Sequence, residues 1–294
     1  MKNKLTLSKV LTHTALIIIS LIFILPIFMV IAISLSSEQS IIENGYSIWP
    51  KAWSNLAYVT AFKNPVQVIT SYKVTFFFSV VGTLLALLIE SMGAYALSRN
   101  SYKYKKFFLM YSLITMLFSG GMIPSYILNT RYLHLGNTIW IYIMPFLANA
   151  WNVMIFKTFF QGLPGSLIEA AKIDGASEFR ILFGIVIPLS TPVLATLGFR
   201  ILLERWNDWN TALIYIRDYN LYSLQFLLQR ILRETEFIKQ SLAEGQMSMV
   251  SADDIPTETL RYAMAVIAAG PMMLVFPFFQ KYLAKGLIVG SVKG

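Results

Sequence analysis

Thr14–Leu35 reads TALIIISLIFILPIFMVIAISL, 22 residues without a single charge. A helix needs about 20 mostly apolar residues to cross the hydrocarbon of a bilayer, and this stretch reaches that length. From Ala15 to Leu25 every position but Ser20 is apolar, so there is no alternation of faces. A transmembrane β-barrel requires alternating segments of about 10 residues. With alternation absent, a helix is the remaining way to satisfy the backbone in lipid. The stretch therefore sets an all-α, membrane-spanning class for the chain.

Further apolar runs follow. Spans are expected at about 14–35, 74–97, 107–128, 138–160, 182–204 and 262–280, making 1–294 a single transmembrane domain with six transmembrane helices. The beginning, MKNKLTLSKVLTHTALIIISLIF, is built like a signal peptide, with a basic start before an apolar run. The run is too long for an h-region, and its small-residue candidate for cleavage, Ala32-Ile33-Ser34, lies at its far end. It reads as a retained first span.

Composition agrees. Apolar residues make up 56% of the chain and charged residues 13%, against roughly 25% charged in a soluble domain. There is no cysteine, which excludes a disulfide framework, a thiolate metal site and a cysteine nucleophile. His13 and His134 are far apart in sequence, so a histidine metal site is not expected either. The net charge of +9 would suggest nucleic acid in a soluble protein. Here the positions of the charges carry the information, and no nucleic-acid partner is expected.

In a six-span arrangement the basic residues gather on one side. Lys2, Lys4 and Lys9 precede span 1; Arg99, Lys103, Lys105 and Lys106 separate spans 2 and 3. Lys157 ends span 4, Lys172 and Arg180 follow it, and Lys281, Lys285 and Lys293 follow span 6. The segment 205–259, on the other side, has five basic and eight acidic residues. The positive-inside rule then places both termini of this multi-pass protein in the cytoplasm. Two long external segments result. One is 36–73, with Trp49 and Trp53; the other is 205–259, in which Ser223–Leu242 forms an amphipathic helix with Leu224, Leu227, Leu228, Ile231 and Leu232 on one side.

Between spans 4 and 5 lies Leu163–Leu189, LPGSLIEAAKIDGASEFRILFGIVIPL. Pro164 and Gly165 break the chain after span 4. Ser166 with Glu169 three residues on forms a capping box for a short helix, Leu167–Ile173. Gly175 ends it as a left-handed residue, and a second helix runs through Phe179 and Phe183 to Pro188. Ala170, Ala171, Gly175 and Ala176 form a small-residue surface that lets another protein approach. On physics alone a surface linker helix serves equally well.

Glu169-Ala170-Ala171, then Gly175, then Ile185 with Pro188, in this order, resemble the EAA loop of permease subunits of binding-protein-dependent ABC importers. SMGAYALSR at Ser91–Arg99, Trp206-Asn207-Asp208, the tail FFQKYLAKGLIVGSVKG at Phe278–Gly294, and ISLSS with WPKAWSNLAYV within 33–59 are similar to the carbohydrate branch of that family. These matches spread over nearly the whole chain. The segment 218–258 is longer than in simpler sugar permeases and resembles those for complex oligosaccharides. The resemblance implies that Glu169, Ala170, Ala171 and Gly175, with Asp174 beside it, form a coupling helix that docks on an ATPase. It implies as partners a second homologous permease, two copies of an ABC ATPase, an extracytoplasmic solute-binding protein and a sugar or oligosaccharide, besides membrane lipid, and as location the cytoplasmic membrane of a bacterium. ATP and Mg are used by the partner ATPase; this chain has no G-x-x-x-x-G-K-[ST] segment and is expected to bind no cofactor and to be no enzyme. Whether the saccharide is charged, as a uronate is, stays open.

Several polar residues lie where a pathway would run. Glu90 is inside span 2, where an ionisable residue faces protein or water; it either lines the pathway or ties two helices together. Pairing with Arg200 is not expected, because Arg200 lies near the outer end of span 5, where Glu204 is its i,i+4 partner. Asn149 and Asn152 share a helical face in span 4, with Gln161 near its end, and suit a cavity or a helix contact. Trp206 and Trp209 suit stacking on a sugar or the aromatic belt of the interface. Gly120 and Gly121, with Pro124 following, kink span 3. Gly286, Gly290 and Gly294 make the tail flexible or frayed. A self-contained secondary transporter is the alternative function; it needs coupling charges or broken helices near the midplane, and Glu90 is the one candidate charge. A membrane-embedded enzyme finds no H-E-x-x-H or G-x-S-x-G segment.

Overall fold

The computed structural model describes residues 7–244 and 255–291. The regular structure of the described residues is helical, with a single antiparallel bridge, Ser36 to Trp53, and no strand. Three helices are long and apolar enough to cross a membrane: Leu11–Ser34, Pro65–Ser98 and Glu258–Tyr282. Three bent pairs raise the number to six if each pair is one span.

The spans expected over 107–128, 138–160 and 182–204 are thus each broken, the first at the kink expected from Gly120 and Gly121, the other two where a continuous helix was expected. Lys105–Leu117 and Met122–Tyr132 meet at 114°, Ile139–Phe146 and Ala150–Gln161 at 49°, and Glu178–Leu189 and Thr191–Trp206 at 81°. Each break has a local cause. Gly121 sits at φ +88°, outside the helical region. Pro145 lies in a 3-10 turn, Met144–Phe146. Pro192 has no N–H to donate, and its ring crowds the carbonyl four residues back, so the helix stops at Ser190 and restarts.

The chain forms two compact units. One consists of the described residues of Met1–Pro65 and Leu227–Pro271. It begins with α1 (Leu7–Ser34), apolar all round, with Ile22 64% and Phe23 74% exposed. A surface this apolar suits lipid rather than water. After α1 come α2 (Glu38–Asn44), capped by the Ser37 hydroxyl accepting from the Ser40 N–H, and α3 (Leu56–Ala61). Glu38 is buried and fastens the unit. Its Oε1 accepts from the Glu258 N–H (3.0 Å), the Thr257 hydroxyl (2.8 Å) and Lys239 Nζ (3.4 Å); its Oε2 accepts from the Thr259 N–H (3.0 Å) and hydroxyl (2.9 Å). Burial pushes the Glu38 carboxyl up, but the Thr259 and Glu258 amides and the Thr257 and Thr259 hydroxyls outweigh it and hold it at about 2. A carboxylate is favoured here because these amides open the last long helix of the chain.

The other unit comprises Val66–Phe226 and the described residues of Met272–Gly294. Its long helix α4 (Pro65–Ser98) buries Ser71, Thr75, Ser79, Gly82, Thr83, Ala86, Glu90 and Ala94 along one face. Such small residues let helices approach closely. After α5 (Lys105–Leu117) and α6 (Met122–Ile127), the chain passes through 3-10 turns to α7 (Ala150–Gln161) and α8 (Gly165–Ile173). Next come α9 (Glu178–Ile181), a π-helical turn Leu182–Val186, α10 (Ile187–Leu189), α11 (Thr191–Trp206) and α12 (Asn210–Tyr215). The amphipathic helix expected at Ser223–Leu242 is α13 (Leu224–Ala243), which from Leu227 on belongs to the first unit; Leu224, Leu227 and Leu228 are buried. The last helix, α14 (Glu258–Ser291), which belongs to the first unit up to Pro271, continues through Gly286 and Gly290, so that part of the tail is helical. Gly294 and Lys293, like Lys2 and Lys4 and the residues 245–254 of the long segment, lie outside the described residues.

Two apolar clusters hold this unit. Phe156, Phe160, Ile181, Leu182 and Leu197 form one. Phe78 and Tyr142, stacked at 4.3 Å and 5°, form the other with Ile141 and Ala212. The Tyr142 hydroxyl donates to the Leu221 carbonyl at 2.8 Å, and the Leu224 N–H to Thr75 Oγ1 at 2.8 Å. Asn137, at φ +57°, accepts on Oδ1 from the amides of Arg217 (2.8 Å) and Asp218 (2.9 Å), which fixes that loop.

Candidate functional site

The break before α7 opens a polar cavity of about 380 Å³ in the second unit. Buried amide ends need acceptors, and Glu90 of α4 supplies one. Its Oε1 accepts from the Asn149 N–H (3.0 Å) and Asn152 Nδ2 (3.0 Å), so a carboxylate sits at the N-terminus of α7. Asn149 caps the same end, its Oδ1 accepting from the Asn152 N–H at 3.3 Å. Glu90 is 1% exposed, and its Oε2 has no hydrogen-bond partner.

Asn152 connects Glu90 to the next helix. Its Oδ1 accepts from Arg200 Nη2 at 2.7 Å, while Arg200 Nη1 pairs with Glu204 at 3.1 Å. Arg200 and Glu90 therefore share one cavity and one bridging amide, although no direct bond was expected or is seen. The reason is that Asn152, in the first turn of α7 after the break, reaches both Glu90 of α4 and Arg200 of α11.

Arg205, one turn on, is buried. Its Nη1 and Nη2 donate to the carbonyls of Tyr142 and Phe146, each at 2.9 Å. These carbonyls belong to the 3-10 turns, where they lack helical partners. The guanidinium lies against Gly82: a Cβ there would stand 2.6 Å from Nη1 and 2.9 Å from Cζ. Gly82 is thus the residue that lets Arg205 brace the broken span. Neither residue was singled out in the sequence, since a glycine among small residues and an arginine near a span end are both ordinary.

Glu204, Asp208, Trp209 and Phe146 complete the wall used here. Asp208 Oδ1 accepts from the Thr211 N–H at 3.0 Å and caps α12. Trp209 lines the cavity, but Trp206 does not: it is 2% exposed, with Tyr72 beside it at 6.3 Å. The helix ends between them, so they part company, and Trp206 is neither a pathway residue of this cavity nor a residue of a lipid-facing belt. Gln161 also lies away from the cavity. Glu90, Asn149, Asn152 and Trp209 are brought together. The result combines carboxylates, guanidinium groups and amides with aromatic faces, in a volume typical of small-molecule sites.

The EAA-like turn is a separate feature. α8 begins at Gly165 after Pro164, and no side chain caps it, so the capping box expected from Ser166 and Glu169 is not formed. Pro164 sets the start instead, because the chain enters the helix directly from it. At the other end Gly175 has φ +76°. The Ala176 N–H donates to the Ala171 carbonyl (2.9 Å) and the Gly175 N–H to Lys172 (3.1 Å), a complete Schellman closure. Ile168 is buried beneath it, and Ala171 and Ala176 pack against the same core. The small-residue surface is therefore narrower than expected: Ala170 and Gly175 face outward with Glu169 and Asp174, while Ala171 turns inward. Ile173, 87% exposed, stands on the outer face. Beyond the turn, Glu178 pairs with Lys172 at 2.7 Å and accepts from the Tyr95 hydroxyl of α4.

No protein-family model matches the chain. Individual relatives do. It is 37% identical over 295 residues, covering 100% of both chains, to the polygalacturonan/rhamnogalacturonan transport system permease protein YtcP of Bacillus subtilis. It is 30% identical, over 94% of this chain and 92% of the relative, to the arabinooligosaccharides transport system permease protein AraQ of the same organism. Among solved structures, a chain of a bacterial ABC transporter involved in the import of the acidic polysaccharide alginate matches with a TM-score of 0.75 and 28% identity, over 96% of this chain and 99% of that one. All-helical, with helices able to span a membrane and full-length relatives of this kind, the chain belongs to the permeases of carbohydrate ABC transport systems, the non-catalytic membrane components of such systems.

Proposed function

We propose that the chain forms half of the translocation pathway of an ATP-driven importer of oligosaccharides, and couples that pathway to a separate ATPase. The observation that carries the reading is the polar cavity at the break before α7, built by Glu90, Asn149, Asn152, Arg200 and Trp209 within a membrane-spanning unit. Hydroxyl-rich ligands need many donors and acceptors at once, and Trp209 adds a face for stacking. Relatives named for polygalacturonan and rhamnogalacturonan transport, and a structural neighbour for alginate, support an acidic oligosaccharide; Arg200 is the cavity cation to meet its carboxylate.

In this reading the chain is one transmembrane domain, each bent pair counts as one span and the total is six. Both termini are cytoplasmic, and 205–259 is external. α8 with Gly175 is the coupling helix: Glu169, Ala170, Asp174 and Gly175 meet the ATPase, and Ala171 supports them from beneath. A homologous permease completes the path, two ABC ATPase copies use ATP and Mg, and a solute-binding protein delivers the saccharide in a bacterial cytoplasmic membrane.

The test is ATPase activity of the purified assembly, with and without binding protein loaded with an oligogalacturonide, for the native chain, Gly175→Asp and Glu169→Lys. Stimulation that vanishes in both variants while the subunits still co-purify supports the reading. Unchanged stimulation in both overturns the coupling role of α8.

A further inference from the structure

A second cavity, of about 350 Å³, lies at the end of α4, against the start of α9. Its walls are apolar at Met92, Ala96, Phe179 and Leu182, and Arg99 enters among them. The Arg99 guanidinium lies over the Tyr95 ring at 4.6 Å. Its Nε and Nη2 are shielded and have no hydrogen-bond partner. Buried guanidinium N–H groups without an acceptor are costly, more so than neutral donors.

The acid on the cavity wall does not meet that need. Glu178 has Oε1 engaged by Lys172 at 2.7 Å and Oε2 by the Tyr95 hydroxyl. Lys103 in the adjoining loop and Lys105 and Lys106 at the start of α5 follow in the chain. Glu178 acts on Arg99 through its charge but bonds neither Nε nor Nη2, so what the cavity lacks is an acceptor on those two nitrogens, and its apolar walls suit one attached to an apolar body. The guanidinium fork matches phosphate oxygens. The cavity also sits where the apolar run of α4 ends at Ser98, which in the topology proposed above is the cytoplasmic headgroup level.

We propose that this cavity is a specific site for one anionic phospholipid, with its phosphate on Arg99 and the start of an acyl chain along Met92, Ala96 and Phe179. The site touches both α4 and the segment that follows Gly175, so a bound lipid joins the end of the helix carrying Glu90 to the EAA-like turn. The saccharide in the first cavity plays no part in the argument.

The experiment is native mass spectrometry of the full-length protein, delipidated in detergent and offered phosphatidylglycerol or phosphatidylcholine. The native chain retains phosphatidylglycerol in preference to phosphatidylcholine. Arg99→Gln lowers phosphatidylglycerol affinity by about tenfold or more, the worth of at least one charged hydrogen bond. Ala96→Trp, which fills the apolar part and leaves the charge, lowers it as well, so the outcome stands if one variant folds poorly. Millimolar inorganic phosphate does not displace the lipid. Equal retention of both lipids by the native chain, or equal phosphatidylglycerol retention by the native chain and both variants, overturns the proposal. Full displacement by inorganic phosphate also overturns it and assigns a phosphate-ion site.

Discussion

Replacing Glu90 separates two roles that one carboxylate performs. Both donors it serves, the Asn149 N–H and Asn152 Nδ2, converge on Oε1, each at 3.0 Å. Glu90→Gln keeps a carbonyl oxygen where Oε1 stands, so both bonds can persist, and puts an amide nitrogen where Oε2 has no partner. Glu90→Ala removes the acceptor and strands two buried donors at the start of α7. Each stranded donor costs about 1–3 kcal/mol, so the alanine variant loses roughly 2–6 kcal/mol, while the glutamine variant keeps both bonds and strands only its own amide nitrogen, a loss of about 1–3 kcal/mol. At about 2–4 °C per kcal/mol for a chain of this size class, Glu90→Ala melts roughly 10 °C lower. The assay is thermal unfolding of the purified protein in one detergent, followed by intrinsic fluorescence, with oligosaccharide uptake measured in parallel. Uptake falls in both variants if the charge faces the substrate, and in alanine alone if the tie is the whole role. A glutamine variant as unstable as alanine would refute the acceptor argument, since charge and not hydrogen bonding would then hold α7.

Gly82→Ala places a methyl 2.6 Å from Arg205 Nη1. The guanidinium must leave the carbonyls of Tyr142 and Phe146, which costs about 3 kcal/mol or more, read as a lower melting temperature; an unchanged melt would show that Arg205 relaxes without loss. Gly175 has φ +76° and open space around it, so conformation alone sets the cost of substitution. Gly175→Ala loses roughly 1–2 kcal/mol and Gly175→Asn less, and transport-coupled ATPase activity follows the order Gly, Asn, Ala. Glu38 is held at about 2 against an ordinary 4.5. A lowered carboxyl stabilises the fold above its unfolded value and loses that contribution as pH falls towards 2, on the order of 3 kcal/mol. Melting temperature against pH therefore declines below about pH 4.5, and in Glu38→Gln this acid limb flattens; an identical limb in both proteins contradicts the assignment.

The spanning character and the amphipathic α13 were legible because apolar runs and a 3.6-residue period are one-dimensional signals. Gly175 was legible too, because a glycine after a short helical stretch that opens at a proline marks a left-handed closure. The breaks were only half visible. Gly120-Gly121 announced one, but Pro145 and Pro192 lie inside apolar runs where hydropathy averages over them. Once those spans bend, helical periodicity no longer predicts neighbours, and the meeting of Glu90 and Arg200 at Asn152 carries no sequence signal; Trp206 and Trp209 separate because α11 ends between them. Glu38 was passed over as one acid in a loop. Its five partners come from Lys239 and from Thr257–Thr259, some 200 residues away in sequence, and no local pattern encodes them. Ala171 was assigned outward from its place in a motif; the packing of α8 on Ile168 decides which face is inward.

The most direct test of the account is saccharide uptake into proteoliposomes holding this chain with its second permease, in the presence of loaded binding protein, with and without the ATPase subunits and internal Mg-ATP. The account predicts accumulation of an oligogalacturonide only when ATPase and Mg-ATP are both present, with that accumulation reduced by Arg200→Gln. Accumulation without the ATPase would contradict it and make the chain a self-contained transporter.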